Sequence, residues 1–154
     1  MTLARPSWVD AEQWQGLVDG SRCPFCTGAG PTGVIAELSA SVVTVSEDVR
    51  VRGYCCVIPR EHAVELHALP ETAALGFMRD VQRAARAVQS ITGAVKLNYE
   101  VHGNIVPHVH LHIIPRYPGD EIERTGVAFA RLTESPYAPG EHATFTARLG
   151  ARLA

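Results

Sequence analysis

Between Pro107 and Arg116 the chain reads PHVHLHIIPR, with histidines at 108, 110 and 112 and an apolar residue after each. Side chains alternate faces along a strand, and residues two apart lie roughly 6.6 Å apart along it. A strand over 108–114 therefore puts three imidazoles on one face and Val109, Leu111 and Ile113 on the other. The apolar face needs a core. The imidazole face needs partners, because every ring brings a donor and an acceptor that are costly to bury unsatisfied. Two uses remain open. Two or three of the rings can bind a metal, as histidines two apart on a strand do. Alternatively, one ring attacks a phosphorus or a carbonyl while its neighbours fix its tautomer and hold the anion.

The rest of the chain supplies the core. GVIAEL (33–38) and SVVTVS (41–46) are apolar runs separated by two residues, a hairpin-length connection that predicts antiparallel pairing. VRGYCCVIP (51–59) and AVKLNYE (94–100) add two more strands, the first interrupted by Gly53. From Pro70 to Thr92, Phe77, Met78, Val81, Ala84, Ala85, Val88 and Ile91 recur at three- and four-residue spacing. Arg79, Gln82, Arg83, Arg86 and Gln89 fill the opposite side, which predicts one amphipathic helix opened by Pro70 and stopped by Gly93. A shorter helix is expected over 61–67. Residues 1–32 read as an irregular arm, and the chain beyond about residue 118 reads as an irregular tail. Strands, a central helix and strands again predict an α+β fold with an antiparallel sheet, in a single domain spanning 1–154.

Composition narrows the function. A chain of 154 residues with 46% apolar and 19% charged residues can build a full core without disulfides. The net charge of -2 and pI near 6.4 argue against a general nucleic-acid binder or a polybasic membrane anchor. MTLARPSWVDAEQWQG lacks the apolar stretch of a secretory signal, and no run reaches membrane-span length, so a soluble cytoplasmic protein is expected. The cysteines fall as Cys23-Pro24-Phe25-Cys26 and as the adjacent pair Cys55 and Cys56. Neighbours in sequence rarely form a relaxed disulfide, which leaves thiols or a metal. The CxxC reads as a redox pair, an inert thiol pair, or half of a tetrahedral zinc site. A redox pair would precede a helix, whereas TGAGPTG follows Cys26. Zinc would require two further ligands, with His62 and His108 as candidates.

HVHLHII followed by Pro115 and Arg116 resembles the signature of the histidine triad (HIT) superfamily. GYCCVIPREH (53–62) is similar to that family's strand ending in Ile-Pro and leading to a histidine. LNYEVHGNIVPH (97–108) is similar to its asparagine-bearing strand and the approach to the triad, and CPFC to the cysteine pair of its zinc-containing bacterial-type members. The resemblance extends over residues 23 to about 117. It implies about five antiparallel strands with a central helix packed on them, a homodimer, and two-step nucleotidyl transfer at an α-phosphorus. By resemblance, His110 is the nucleophile and His112 donates to a phosphate oxygen. Asn98 contacts ribose or phosphate, and Asn104 stands where many members carry glutamine. Cys23, Cys26, His62 and His108 hold a structural zinc. Many members carry an acidic residue for the ribose hydroxyls, for which Asp48 is the choice here. The serine that some members carry just before the triad is replaced by Ile105, Val106 and Pro107. That favours a diadenosine polyphosphate-type substrate over a phosphoramidate; a nucleotide-binding module without turnover is the third reading.

Overall fold

The computed structural model describes residues 8, 10–28, 30–46, 51–120 and 137–154. In chain order these form helix α1 (Ala11–Val18), strands β1 (Val34–Glu37), β2 (Ser41–Thr44) and β3 (Cys55–Pro59), and a 3-10 turn (Leu66–Ala68). Helix α2 (Glu71–Thr92), strands β4 (Lys96–Val101) and β5 (Leu111–Arg116), and helix α3 (Glu141–Leu153) follow. The five strands pair antiparallel in the order β1-β2-β3-β5-β4. This is the expected α+β class. No helix among the described residues is long and apolar enough to cross a membrane.

Helix α2 has the predicted limits. Pro70 caps it with φ -54°, and Gly93 ends it in the left-handed region at φ 68°, where its N–H reaches the Gln89 carbonyl at 2.9 Å. Its stripe of Phe77, Val81, Ala84, Ala85 and Val88 lies against Val43, Cys55, Val57, Leu97, Leu111 and Ile113 of the sheet. Burying a side chain of the Phe or Val class stabilises by roughly 1.5–3 kcal/mol, so this layer is the main support of the fold. Met78 departs from the predicted stripe and stays 40% exposed. Asp80 is buried on the same helix. Its carboxylate accepts from Ser41 Oγ at 2.7 Å, the Ala40 N–H at 2.9 Å and Ser39 Oγ at 3.3 Å, clamping the β1–β2 hairpin to α2.

Three expectations need correction. The arm is not wholly irregular: Asp10 caps α1 by accepting the Gln13 N–H at 3.0 Å. The tail is not irregular throughout either, because α3 sends Phe145, Leu149 and Leu153, four residues apart, into the same core as α2. Residues 61–67 form no helix beyond the 3-10 turn.

The histidine strand is also shifted. β5 begins at Leu111, leaving His108 and His110 in the segment that leads into it. In register, Val57 pairs with Leu111, so the next rungs would fall on Ile58 and Pro59, and Pro59 has no N–H to offer. The Val109 N–H turns instead to the Ala63 carbonyl at 2.7 Å. Pro115, just past the strand expected over 108–114, lies inside β5. The Arg116 carbonyl accepts from Val95 toward β4, so Pro115 faces the β3 side, beyond the last β3 pair Cys55 with Ile113. The sheet face away from α2 carries a smaller cluster of Val51, Tyr54, Cys56, Ile58 and Ile114, with Phe25 and Val42 packed against it.

Candidate active site and metal centre

The arm folds its CxxC onto the sheet. Cys23 Sγ lies 3.5 Å from His108 Nδ1, and Cys26 Sγ lies 3.3 Å from His62 Nδ1 and 3.4 Å from His108 Nδ1. The two Nδ1 atoms are 3.2 Å apart, and all four donor atoms fall within 4.8 Å of one another. A tetrahedral ion with bonds of the length zinc makes to nitrogen and sulfur holds its donors roughly 3.3–3.8 Å apart, so these separations fit one. The rings are already oriented for it. His62 Nε2 donates to the Val18 carbonyl and His108 Nε2 to the Pro59 carbonyl, each at 2.9 Å. A carbonyl only accepts, so each Nε2 carries the proton and each Nδ1 presents a lone pair. Burial and the neighbouring Cys23 push the Cys26 thiol up to about 11, a state that a bound cation would reverse by favouring the thiolate. Cys23, Cys26, His62 and His108 can therefore hold a metal ion together, as the sequence predicts.

Beside this cluster, His110 and His112 stand at the floor of a cleft of about 360 Å³. Phe25, Pro31, Thr44, Ser46, Tyr54, Cys56 and Ile58 are among its walls. His110 Nδ1 donates to the His108 carbonyl at 2.7 Å, which leaves the lone pair on Nε2. Phe25 presents its ring edge-on to His108 and to His110, with centroids 5.5 Å away in both cases. His112 lies on β5 between Cys56 of β3 and Glu100 of β4, and its Nδ1 is 2.6 Å from the Tyr54 hydroxyl. The His110 and His112 centroids are 4.8 Å apart. Burial lowers both rings' affinity for a proton, and with His110 and His102 nearby it brings His112 down to about 4. The cleft floor thus offers two uncharged imidazoles near neutral pH.

The HIT domain family model matches residues 28–119. The chain belongs to the HIT family. An adenosine 5'-monophosphoramidase of Schizosaccharomyces pombe is 29% identical over 103 residues, which are 64% of this chain and 77% of that protein. Among solved structures, a histidine triad protein of Bradyrhizobium japonicum is 30% identical with a TM-score of 0.69, covering 79% of this chain and 90% of its own. A zinc-bound histidine triad family protein of Mycobacterium smegmatis is 26% identical with a TM-score of 0.62, covering 85% and 95% respectively.

Within this HIT chain the other expected residues are less closely gathered. Asn98 is half-buried on β4 opposite Ile114, on the face that also carries His112. Asn104 is exposed in the loop between β4 and β5. Asp48 lies outside the described residues. Four residues to which the sequence reading gave no catalytic part border the triad: Phe25, Tyr54, Glu100 and His102. His102 Nε2 is 3.0 Å from Glu100 Oε2, and its ring centroid is 5.2 Å from that of His112. The signal for three of them was present as alternation. Asn98, Glu100 and His102 are two apart, as are Tyr54, Cys56 and Ile58, so each series shares one face.

Proposed function

We propose that this chain is a nucleotidyl hydrolase or transferase acting at the α-phosphorus of a nucleoside polyphosphate of the dinucleoside polyphosphate type, through a covalent nucleotidyl-histidine on His110. The observation that carries this reading is the hydrogen bond from His110 Nδ1 to the His108 carbonyl at 2.7 Å, because it leaves Nε2 as the nucleophilic nitrogen. Nε2 attacks phosphorus, forming a P–N bond as the P–O bond to the leaving phosphate breaks. Water or another acceptor then attacks, the P–N bond breaks, and Nε2 recovers its lone pair as the nucleotide departs. His112 donates to a non-bridging oxygen. Asn98 and Asn104 supply neutral amide donors for ribose or phosphate, and Asp48 takes the ribose hydroxyls. Uncharged donors suit a transition state whose charge spreads over the phosphoryl oxygens.

The metal in this reading is zinc, held by Cys23, Cys26, His62 and His108, and the zinc-bound Mycobacterium smegmatis relative supports that choice. With four protein ligands its shell is closed, so its contribution is structural. The four cysteines form no disulfide, which agrees with a reducing cytoplasm. A homodimer joined along β4 is part of the proposal, since this edge strand exposes Tyr99 at 50% and Val101 at 42%. Light scattering at twice the chain mass would bear it out.

A second reading, nucleoside phosphoramidase, is favoured by the Schizosaccharomyces pombe relative. A panel of dinucleoside polyphosphates and adenosine phosphoramidates, read by nucleotide release, separates the two. His110→Asn should lower turnover at least about 1,000-fold while leaving zinc content unchanged, and mass spectrometry should find the nucleotidyl adduct on wild-type His110. Full turnover by His110→Asn on every substrate the wild type cleaves would remove the covalent mechanism. Zinc lost along with activity would place the triad around a catalytic metal instead.

A further inference from the structure

We propose that Tyr54 positions His112, donating its hydroxyl proton to Nδ1 and so holding the ring in the tautomer that carries its own proton on Nε2. The inference deepens the proposed function and rests on it for the role of His112: a neutral hydrogen-bond donor to the reacting phosphate. The geometry begins with an oxygen-to-nitrogen separation of 2.6 Å between two groups packed on the same sheet face. Tyr54 precedes β3 and is only 7% exposed, held among Val51, Cys56, Ile58 and Ile114. Its hydroxyl has little freedom to leave the ring.

The direction of this bond follows from what else the hydroxyl meets. Cys56 packs beside Tyr54 in the same cluster. Burial pushes the Cys56 thiol up to about 12 and the Tyr54 phenol higher still, so both keep their protons. Sulfur is a weak acceptor and a neutral imidazole nitrogen a strong one. The favourable order is therefore the Tyr54 O–H toward His112 Nδ1 at 2.6 Å rather than toward the Cys56 sulfur. A neutral ring has a single proton, which this order assigns to Nε2. His110 is set the opposite way, with its proton on Nδ1 directed to a backbone carbonyl. Two adjacent imidazoles of one segment thus receive opposite tautomers, one suited to attack and the other to donation.

The test is ¹⁵N NMR of the histidine rings in the zinc-loaded protein at pH 7, combined with steady-state kinetics of Tyr54→Phe. Wild-type His112 should be mainly the Nε2–H tautomer. Removing the hydroxyl should raise the other tautomer severalfold and lower kcat about tenfold, with KM changed less than about threefold. A loss of packing alone would not exchange the tautomers. Wild-type His112 found as Nδ1–H overturns the proposal whether or not the variant folds, as does a Tyr54→Phe protein with unaltered tautomers or unaltered kcat. If the wild type releases nothing from the nucleotide panel, the proposed function fails, and the tautomer shift alone decides whether Tyr54 sets the ring.

Discussion

The three histidines of the triad are chemically identical, and what separates them is the partner of the second ring nitrogen. His108 gives its Nε2 proton to the Pro59 carbonyl, His110 gives its Nδ1 proton to the His108 carbonyl, and His112 meets the Tyr54 hydroxyl. Only the last has a side chain as partner, so only there can one substitution change the partner and leave the backbone alone. His112 also carries a stability consequence. Its folded-state value of about 4 is below the ordinary 6.5, so the unfolded chain binds more protons between those two pH values. The stability this ring contributes is complete above about pH 6.5 and is lost as pH falls toward 4. Allowing for water in the open cleft, the loss is about 2 kcal/mol. Urea midpoints of wild type and His112→Gln, compared at pH 7 and pH 4.5, should show the variant losing less by about that amount. Parallel acid losses in the two proteins would mean that the ring is not held neutral by the fold.

At the scale of elements, the clamp between α2 and the β1–β2 hairpin rests on one carboxylate. Asp80 takes three donors from Ser39, Ala40 and Ser41, and Ser41 is fully buried. Asp80→Ala leaves those donors without their acceptor and should cost about 2–4 kcal/mol, read as a lower urea midpoint. The site lies on the opposite face of the sheet, so turnover at 25 °C should stay within about twofold; an unchanged midpoint would mean that solvent replaces the carboxylate. The clamp also marks what the sequence leaves hidden. Helix α2 is legible because a long stripe, a proline and a glycine agree on its limits. α3 has its own stripe in Phe145, Leu149 and Leu153, but with only three large apolar positions it reads weakly until the core it completes is known. The histidine strand is misjudged at its start for a reason outside the segment: Pro59, on the neighbouring strand, cannot donate the rung that 108–110 would need. Of the site, the residues that could hold a metal are legible because thiols and imidazoles at such spacing have few other uses. Tyr54 is not, since a tyrosine beside a strand has an adequate explanation in packing.

At the scale of the molecule, the metal cluster joins segments that the α2 layer does not hold. Cys23 and His108 are 85 positions apart, and His62 adds the carbonyl of Val18 at the end of α1. An ion held by these four residues would fasten the arm to both the exit of β3 and the approach to β5. Without an ion, each thiol can only donate weakly to the Nδ1 that faces it, Cys23 to His108 at 3.5 Å and Cys26 to His62 at 3.3 Å, so the arm is held less firmly than four metal bonds would hold it. The core of α2, α3 and the sheet uses none of these donors, so the metal-free chain should keep its helices at 25 °C while losing several kcal/mol. For a domain of this size that corresponds to a melting temperature lower by about 10 °C, recovered when zinc is returned. The same removal should reach the chemistry, because the carbonyl that orients His110 belongs to His108 itself. Chelation followed by elemental analysis, calorimetry and nucleotide release on one sample checks both effects together. Cys26→Ser should reproduce them without chelator, whereas a metal-stripped protein that melts and turns over as before would make the cluster an incidental ion trap rather than a staple of the site.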